Sequence, residues 1–197
     1  MRYNRAMTEI VLIRHGQTEW SANGRHTSYT DLDLTDAGVE QARQAGRRLG
    51  GRTFAGVLSS PRRRALRTAE LAGLQVTEVT EDLAEWNYGE YEGVTTVQIH
   101  RTRPDWSLWT DGCPGGESPD TVGARVDSVL ARARALLDRG DVALVGHGHT
   151  LRVCGARWVG LPPSDGGRLR LDTATLCTLG FEHEVDQVID TWNAPCA

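Results

Sequence analysis

Two short segments of the sequence are apolar at every position, Ile10–Ile13 near the start and Val142–Val145 far along the chain. A strand with one face in water alternates apolar and polar residues, whereas a strand covered on both faces is apolar throughout. These segments therefore predict central strands of a parallel sheet, because parallel sheets carry helices on both faces. This feature favours an α/β fold.

Further strand-like segments alternate with helical patterns along the chain. The predicted strands are Glu9–Arg14, Thr53–Ser59, Val76–Val79, Val142–Gly146, Leu176–Phe181 and Val185–Ile189. Only three residues separate the last two strands, which predicts an antiparallel hairpin at one edge of the sheet. The alternation predicts a three-layer α/β sandwich with a mostly parallel sheet and helices on both faces.

Capping residues mark the starts of the predicted helices. Thr35 precedes a helix that reaches Leu49. Ser60 before Pro61–Ala72 and Ser118 before a long apolar stripe each combine a capping serine with a proline in the first turn. A further helix, Leu151–Trp158, follows the fourth strand. The stretch His100–Gly116 is rich in tryptophan and proline and predicts a long ordered loop.

Length and composition limit the chemistry that the chain can perform. Its 197 residues fit one domain, which we expect over residues 1–197, with residues 1–7 as a disordered extension. The net charge of −4 gives no broad basic field for nucleic acid or an anionic membrane. All 22 basic residues are arginine. This excludes a Walker A loop and a lysine Schiff base, and it leaves guanidinium groups suited to phosphate.

The cysteines and the apolar segments bear on the compartment. Cys113, Cys154, Cys177 and Cys196 form neither a C-x-x-C pair nor a zinc-finger pattern. No segment has the length of a membrane span, and none resembles the apolar part of a signal peptide. We therefore expect a cytoplasmic protein with reduced thiols, and the sequence leaves a homodimer open.

Polar residues cluster where three predicted strands end. Arg14–Gly16 follows the first strand, Ser59–Pro61 leads from the second into Arg62–Arg64, and Gly146–His149 ends the fourth. Ligands of parallel sheets bind beyond the carboxyl ends of the strands, so these residues are expected to converge. Glycines there permit close approach to the backbone, and the helices that follow add positive N-terminal ends. The combination predicts a site for an oxyanion such as phosphate.

These segments resemble the motifs of the histidine phosphatase superfamily, which includes cofactor-dependent phosphoglycerate mutase. Leu12–Trp20 is similar to the signature segment, Ser59–Ala69 to the second motif, Leu83–Gly93 to the acid-bearing segment and Val145–Gly148 to the second histidine motif. The resemblance covers nearly the whole chain. It implies a phosphoglycerate mutase-like fold, with a mixed sheet and helices on both faces.

The resemblance also implies a phosphomonoesterase that needs neither metal nor cofactor. His15 would accept the phosphoryl group as phosphohistidine, and Glu85 would protonate the leaving group and then activate water. Arg14, Arg64 and a protonated His147 would hold the phosphate oxygens and supply the positive charge.

Five further residues are expected to contact the substrate, a small-molecule phosphate ester: Ser21, His26, Thr27, Tyr88 and Gly148. The tryptophan-rich stretch looks most like a branch that contains sedoheptulose bisphosphatase and broad acid phosphatases of mycobacteria. The implied substrate is a small sugar phosphate or a phosphorylated sugar acid.

Three alternatives remain at this stage. The first is a phosphoglycerate mutase, but such mutases carry an arginine pair soon after a tryptophan, whereas here Thr110 and Asp111 follow Trp109. A non-catalytic module that binds phosphate esters would be expected to have lost a catalytic residue. A zinc site would need His147 and His149 with a cysteine. A cysteine phosphatase is excluded, because no cysteine precedes an arginine by six positions.

Overall fold

Six strands form one mixed sheet in the computed structural model, which describes residues 8–196. The strands are β1 (Ile10–Arg14), β2 (Gly56–Ser59), β3 (Glu78–Val79), β4 (Val142–Gly146), β5 (Leu176–Glu182) and β6 (Asp186–Ala194). Their order across the sheet is β3-β2-β4-β1-β5-β6. The first four are mutually parallel, whereas β5 runs antiparallel to β1 and pairs with β6 as a hairpin. The predicted sandwich is confirmed, and the extension expected at residues 1–7 lies outside the described residues.

Seven α-helices connect or flank these strands within residues 8–196. They are α1 (Glu19–Asn23), α2 (Asp36–Leu49), α3 (Arg63–Leu71), α4 (Thr96–His100), α5 (Leu108–Asp111), α6 (Pro119–Leu136) and α7 (Gly148–Trp158). The predicted caps of α2 and α6 are confirmed, because Thr35 accepts from the amide of Gly38 and Ser118 accepts from that of Thr121. None of the helices in the described part is long and apolar enough to cross a membrane.

The apolar run of β1 faces two cores. Ile10 and Leu12 pack into one buried cluster with residues of α6 and α7, including Val126. Val11 and Ile13 pack into a second buried cluster with alanines of α2 and α3. Each face of the strand therefore removes apolar surface from water, which is why polar positions are absent from it.

Several element boundaries differ from those predicted. Helix α3 begins at Arg63, two residues later than predicted, with Arg62 as its capping residue. The Ser60 hydroxyl lies before the helix, where it accepts from the amide of Arg62 at 3.3 Å and is 2.7 Å from Nε2 of His147. Helix α7 begins at Gly148 rather than at Leu151. Strand β3 is only two residues long, since the hydroxyl of Thr77 bonds to both backbone groups of Val57.

Two strands and the predicted loop also differ from their predicted bounds. Strand β2 begins at Gly56 rather than Thr53, and β6 continues to Ala194 rather than stopping at Ile189. The expected loop His100–Gly116 contains α5, which Ser107 caps through the amide of Trp109. A helix of four residues is too short to show the apolar periodicity from which helices are predicted.

The loop after β1 lies against the first turn of α2. A Cβ atom on Gly16 would lie 2.3 Å from the carbonyl oxygen of Gly38, and one on Gly38 would lie 2.1 Å from that of Gln17. The amide of Thr35 also donates to the Gln17 carbonyl at 2.9 Å. Backbone contact without side chains therefore fixes the segment that begins at His15.

We expect Gly38→Ala to destabilise the protein by about 1–3 kcal/mol, because the added methyl group must displace α2 from this loop. Chemical denaturation measures the change, and Arg48→Ala on an exposed face of α2 should alter stability by less than about 0.5 kcal/mol. Alanine is the better helix former by roughly 1 kcal/mol, so a stabilised Gly38→Ala variant would contradict the close approach.

Candidate active site

A cavity of about 210 Å³ opens beyond the carboxyl ends of β1 and β4. Three of the five predicted catalytic residues and all five predicted substrate contacts line it. The lining residues are Arg14, His15, Thr18, Ser21, Gly24, Arg25, His26, Thr27, Glu85, Tyr88, Thr96, Gly148, His149, Arg152 and Leu171. The remaining two predicted catalytic residues, Arg64 and His147, are completely buried.

The ring of His15 is held in one orientation. Its Nδ1 lies 2.7 Å from the carbonyl oxygen of Gly16, which requires Nδ1 to carry the hydrogen of the neutral ring. Nε2 is then the nitrogen with a free lone pair, and it makes no hydrogen bond within residues 8–196. Burial, reinforced by the charges of Arg64 and Arg14, lowers the pKa of His15 well below 6.5. A neutral, oriented imidazole therefore faces the cavity.

Arg64 and His147 lie side by side behind this ring. The His15 and His147 ring centroids are 5.1 Å apart, and Nε of Arg64 donates to Nδ1 of His147 at 3.2 Å. The other Arg64 nitrogens donate to the backbone carbonyls of Thr30, Thr27 and Ser28 at 3.0–3.2 Å. Arg64 is thus engaged by the loop before α2, in addition to its neighbour His147.

His147 is neutral in this structure, which corrects the expectation that it is protonated. Its Nδ1 accepts from Arg64, so the ring hydrogen is on Nε2, which donates to the Ser60 hydroxyl at 2.7 Å. Burial, together with the charge of Arg64, lowers the pKa of His147 well below 6.5. The motifs predicted that the two histidines lie together. They did not show that the buried guanidinium of Arg64 donates to Nδ1 of His147, the nitrogen that would otherwise take up a proton.

Glu85 enters the cavity as a carboxylate. Its Oε1 accepts from the amides of Trp86 and Thr150 at 2.9 and 3.0 Å, and its Oε2 accepts from the amide of His149 at 3.1 Å. Burial on its own raises the pKa, but His149, which becomes charged only near pH 3, and these backbone donors outweigh it and bring the pKa of Glu85 to about 2. At neutral pH Glu85 is therefore a proton acceptor.

A second layer of contacts holds the segment that carries Glu85. The guanidinium of Arg125 donates to the carbonyl of Ala84 at 2.8 Å and to the carboxylate of Glu117 at 2.8 Å. Glu117 in turn accepts from the amide of Asn87 at 2.8 Å. This ion pair is well shielded from solvent, so it orients the Glu85 segment firmly. Nothing in the sequence marked Arg125 for this position.

Three rings form one wall of the cavity. His26 stacks on Tyr88 with 4.6 Å between centroids, and the Tyr88 hydroxyl lies 2.5 Å from Nδ1 of His149. Burial raises the pKa of Tyr88 and lowers that of His149 to about 3. The phenol therefore keeps its proton and donates a hydrogen bond to a neutral imidazole. The expected contacts His26 and Tyr88 are thus rigid and uncharged.

Arg14 and Gly148 form the opposite part of the wall. Arg14 donates to the carbonyl of Leu171, and its Nε is buried without a hydrogen-bond partner in the described part of the chain. A Cβ on Gly148 would lie 3.2 Å from Cζ of Arg14, so only glycine leaves the guanidinium unhindered. A buried donor without a partner is costly and suits an oxyanion ligand.

Ser21 lines the cavity, but its hydroxyl serves α1. It donates to the carbonyl of Thr18 at 3.0 Å and accepts from the amide of Thr18 at 2.8 Å, as the third residue of a capping box. The hydroxyl hydrogen is therefore already used. Thr27 reaches the cavity next to it, with its own hydroxyl bonded to the carbonyl of Arg25 at 3.1 Å.

Seven lining residues were absent from the predicted site, and three of them carry basic side chains: Arg25, His149 and Arg152. A zinc site would need His147 and His149 to face one ion, whereas His149 contacts Tyr88 and His147 contacts Arg64 and Ser60. Within residues 8–196 no group of three or more histidine, cysteine or acidic side chains is arranged to hold a metal ion. Arg152 follows the second histidine motif by one helical turn, a spacing that could have identified it.

The similarity to known proteins agrees with this geometry. The family model of the histidine phosphatase superfamily (branch 1) matches residues 10–195. The chain is 50% identical over 181 residues to an acid phosphatase of Mycobacterium tuberculosis. The alignment covers 91% of this chain and 89% of the relative. It is 34% identical over 182 residues to sedoheptulose 1,7-bisphosphatase of Saccharomyces cerevisiae, and the alignment covers 77% of this chain and 67% of the relative.

A solved structure of an open reading frame from Mycobacterium tuberculosis superimposes with a TM-score of 0.93 at 46% identity, covering 96% of this chain and 99% of that one. The chain therefore belongs to the histidine phosphatase superfamily, and it is a phosphatase. The resemblance noted in the motifs is confirmed.

The buried histidines give a prediction for solution measurements. Because burial and Arg64 lower both pKa values, we expect neither His15 nor His147 to titrate around pH 6.5, where a free histidine would. Proton–nitrogen NMR should find the hydrogen on Nδ1 of His15 and on Nε2 of His147. A titration midpoint near 6.5 for either ring would contradict the described hydrogen bonds.

Proposed function

We propose that the protein hydrolyses small phosphate monoesters in two displacements, with His15 as the group that carries the phosphoryl in between. The observation that supports this most is the fixed tautomer of His15, whose Nδ1 is bonded to the carbonyl of Gly16 and whose Nε2 is free at the cavity. Only a nitrogen with an available lone pair can attack phosphorus.

In the first displacement Nε2 of His15 forms a bond to phosphorus as the bond to the ester oxygen breaks. The unpartnered Nε of Arg14 and the backbone at Gly148 face the transferring oxygens. Arg64 and His147 contribute from behind the ring, where the guanidinium keeps His15 neutral and adds a positive field. Positioning and charge supply most of the catalysis in phosphoryl transfer, and here guanidinium groups supply that charge.

The leaving alkoxide needs a proton, and Glu85 with a pKa of about 2 does not hold one in the free enzyme. A phosphate monoester has its second pKa at about 6, so its monoanion brings a proton into the cavity. We propose that this proton passes through Glu85 to the ester oxygen. In the second displacement water attacks phosphorus, its proton goes to Glu85, and the bond to Nε2 breaks.

This proton route favours acidic conditions, because the fraction of ester monoanion falls as the pH rises above about 6. The relative from Mycobacterium tuberculosis is named an acid phosphatase, which supports the same direction for this chain. The other relative is named for a sugar bisphosphate. Together with the small cavity, these names support a small sugar phosphate or phosphorylated sugar acid as substrate.

We expect His15→Ala to lower kcat by roughly 10³-fold or more, because the phosphoryl group loses its acceptor. Rapid quenching with labelled substrate should trap an acid-labile, base-stable adduct on His15 of the parent enzyme. His183→Ala, at the exposed hairpin turn, is the matched control and should retain both turnover and label. Label on a serine or a cysteine would overturn the proposed mechanism.

We expect Glu85→Gln to slow hydrolysis of glycerol 3-phosphate by about 10²–10⁴-fold and that of p-nitrophenyl phosphate much less. The difference arises because nitrophenolate leaves without protonation, whereas an alkoxide does not. The phosphate release rates for the two esters, measured on the same preparations, provide the comparison. An equal loss with both esters would remove Glu85 from the acid role.

A further inference from the structure

The cavity has two arginines besides the one assigned to the transferred phosphoryl group. Three guanidinium groups line it, those of Arg14, Arg25 and Arg152, against the single carboxylate of Glu85. The lining histidines add no charge when neutral, so two positive charges are in excess. Arg14, with its buried unpartnered Nε, lies next to His15 and serves the reacting phosphate. Arg25 and Arg152 remain without an assigned ligand.

Arg25 is an exposed residue at the rim of the cavity, and its backbone is held in place. Its amide donates to the carbonyl of Trp20 at 3.0 Å, and the residue pairs with Thr95 in an antiparallel bridge. Its guanidinium lies 5.8 Å from the centre of the Trp20 ring, which packs in turn on Gly93. Within residues 8–196 the guanidinium makes no hydrogen bond and no ion pair, so all its donors are available to a ligand.

Arg152 is fixed on three sides. Its Nε donates to the carbonyl of Gly166 at 3.0 Å and its Nη2 to that of Gly167 at 2.9 Å. Its guanidinium also lies over the ring of Trp109, 4.4 Å from the centroid. Neither carbonyl neutralises the charge, and no carboxylate of the described chain lies within ion-pair distance. The guanidinium is therefore held in a fixed orientation, in which Nη1 is available to a ligand.

Trp109 supports one of the arginines that line the cavity. The absence of an arginine pair after Trp109 predicts that a second anionic group is poorly held. In the structure, however, the face of Trp109 carries Arg152, which comes from the helix after the second histidine motif. The positive charge next to Trp109 therefore comes from α7 rather than from the residues that follow the tryptophan.

We propose that Arg25 and Arg152 form a second anion site, which binds a carboxylate or phosphate group of the ester other than the phosphoryl group transferred to His15. This inference rests on the proposed function and narrows its substrate class. Preferred substrates then carry two anionic groups, as phosphorylated sugar acids and sugar bisphosphates do. Guanidinium groups suit either anion, because both accept paired charge-assisted hydrogen bonds.

The test compares two esters that differ only at one carbon, 3-phosphoglycerate with a carboxylate and glycerol 3-phosphate with a hydroxymethyl group. We expect the parent enzyme at low ionic strength to have a kcat/KM at least about tenfold higher for 3-phosphoglycerate. Arg25→Gln should remove most of this ratio. Added salt should reduce the ratio in the parent enzyme, because Arg25 is exposed and its attraction is screened.

Arg48→Gln, an exposed arginine on α2, removes the same charge elsewhere and should leave the ratio unchanged. Arg152→Lys, which keeps the charge but not the planar group, should lower the ratio less than Arg25→Gln does. A parent ratio near one, or an equal loss of both activities in Arg25→Gln, would overturn the second anion site and leave the phosphatase proposal intact. Failure of the parent enzyme to release phosphate from either ester or from p-nitrophenyl phosphate would contradict both.

Discussion

The parallel pairing of β1 with β4 is the constraint on which the rest of the site depends. Its register places Arg14 beside Gly146, and the amide of His15 donates to the Gly146 carbonyl at 3.0 Å. The residues that follow the two strands, His15 and His147, therefore emerge at the same level with their rings in contact. A shift of one residue would turn every side chain of β1 to the other face of the sheet, which would exchange the residues of its two cores and move Arg14 away from the cavity.

The site combines charged and neutral groups in a way that follows from burial. Histidines enclosed with arginines lose their protons, whereas the arginines keep theirs because the guanidinium pKa is so high. Glu85 stays ionised in an equally buried place because backbone amides of α7 bond to it. The outcome is a neutral imidazole at His15, fixed cations and one proton acceptor around the cavity, an arrangement that suits the proposed phosphoryl transfer through His15.

Much of the fold and several site residues could be predicted because they depend on local sequence. The continuous apolar runs identify β1 and β4, and the polar residues directly after them identify Arg14, His15 and His147. The capping residues Thr35 and Ser118 mark the starts of α2 and α6 correctly. The predicted start of α3 was wrong at a side chain with two partners: Ser60 bonds to both His147 and the amide of Arg62, and α3 begins only at Arg63.

The sequence by itself determined the layers, the central strands and the types of residue at the reaction centre, since apolar periodicity and strand-end motifs act over a few neighbouring positions. Only the tertiary structure decided protonation states and charge positions. The proton on His147 depends on Arg64, 83 residues away, and the carbonyl of Ala84 is held by Arg125, 41 residues away. Such contacts join separate elements in space, and the pKa of a buried group depends on those neighbours rather than on adjacent residues.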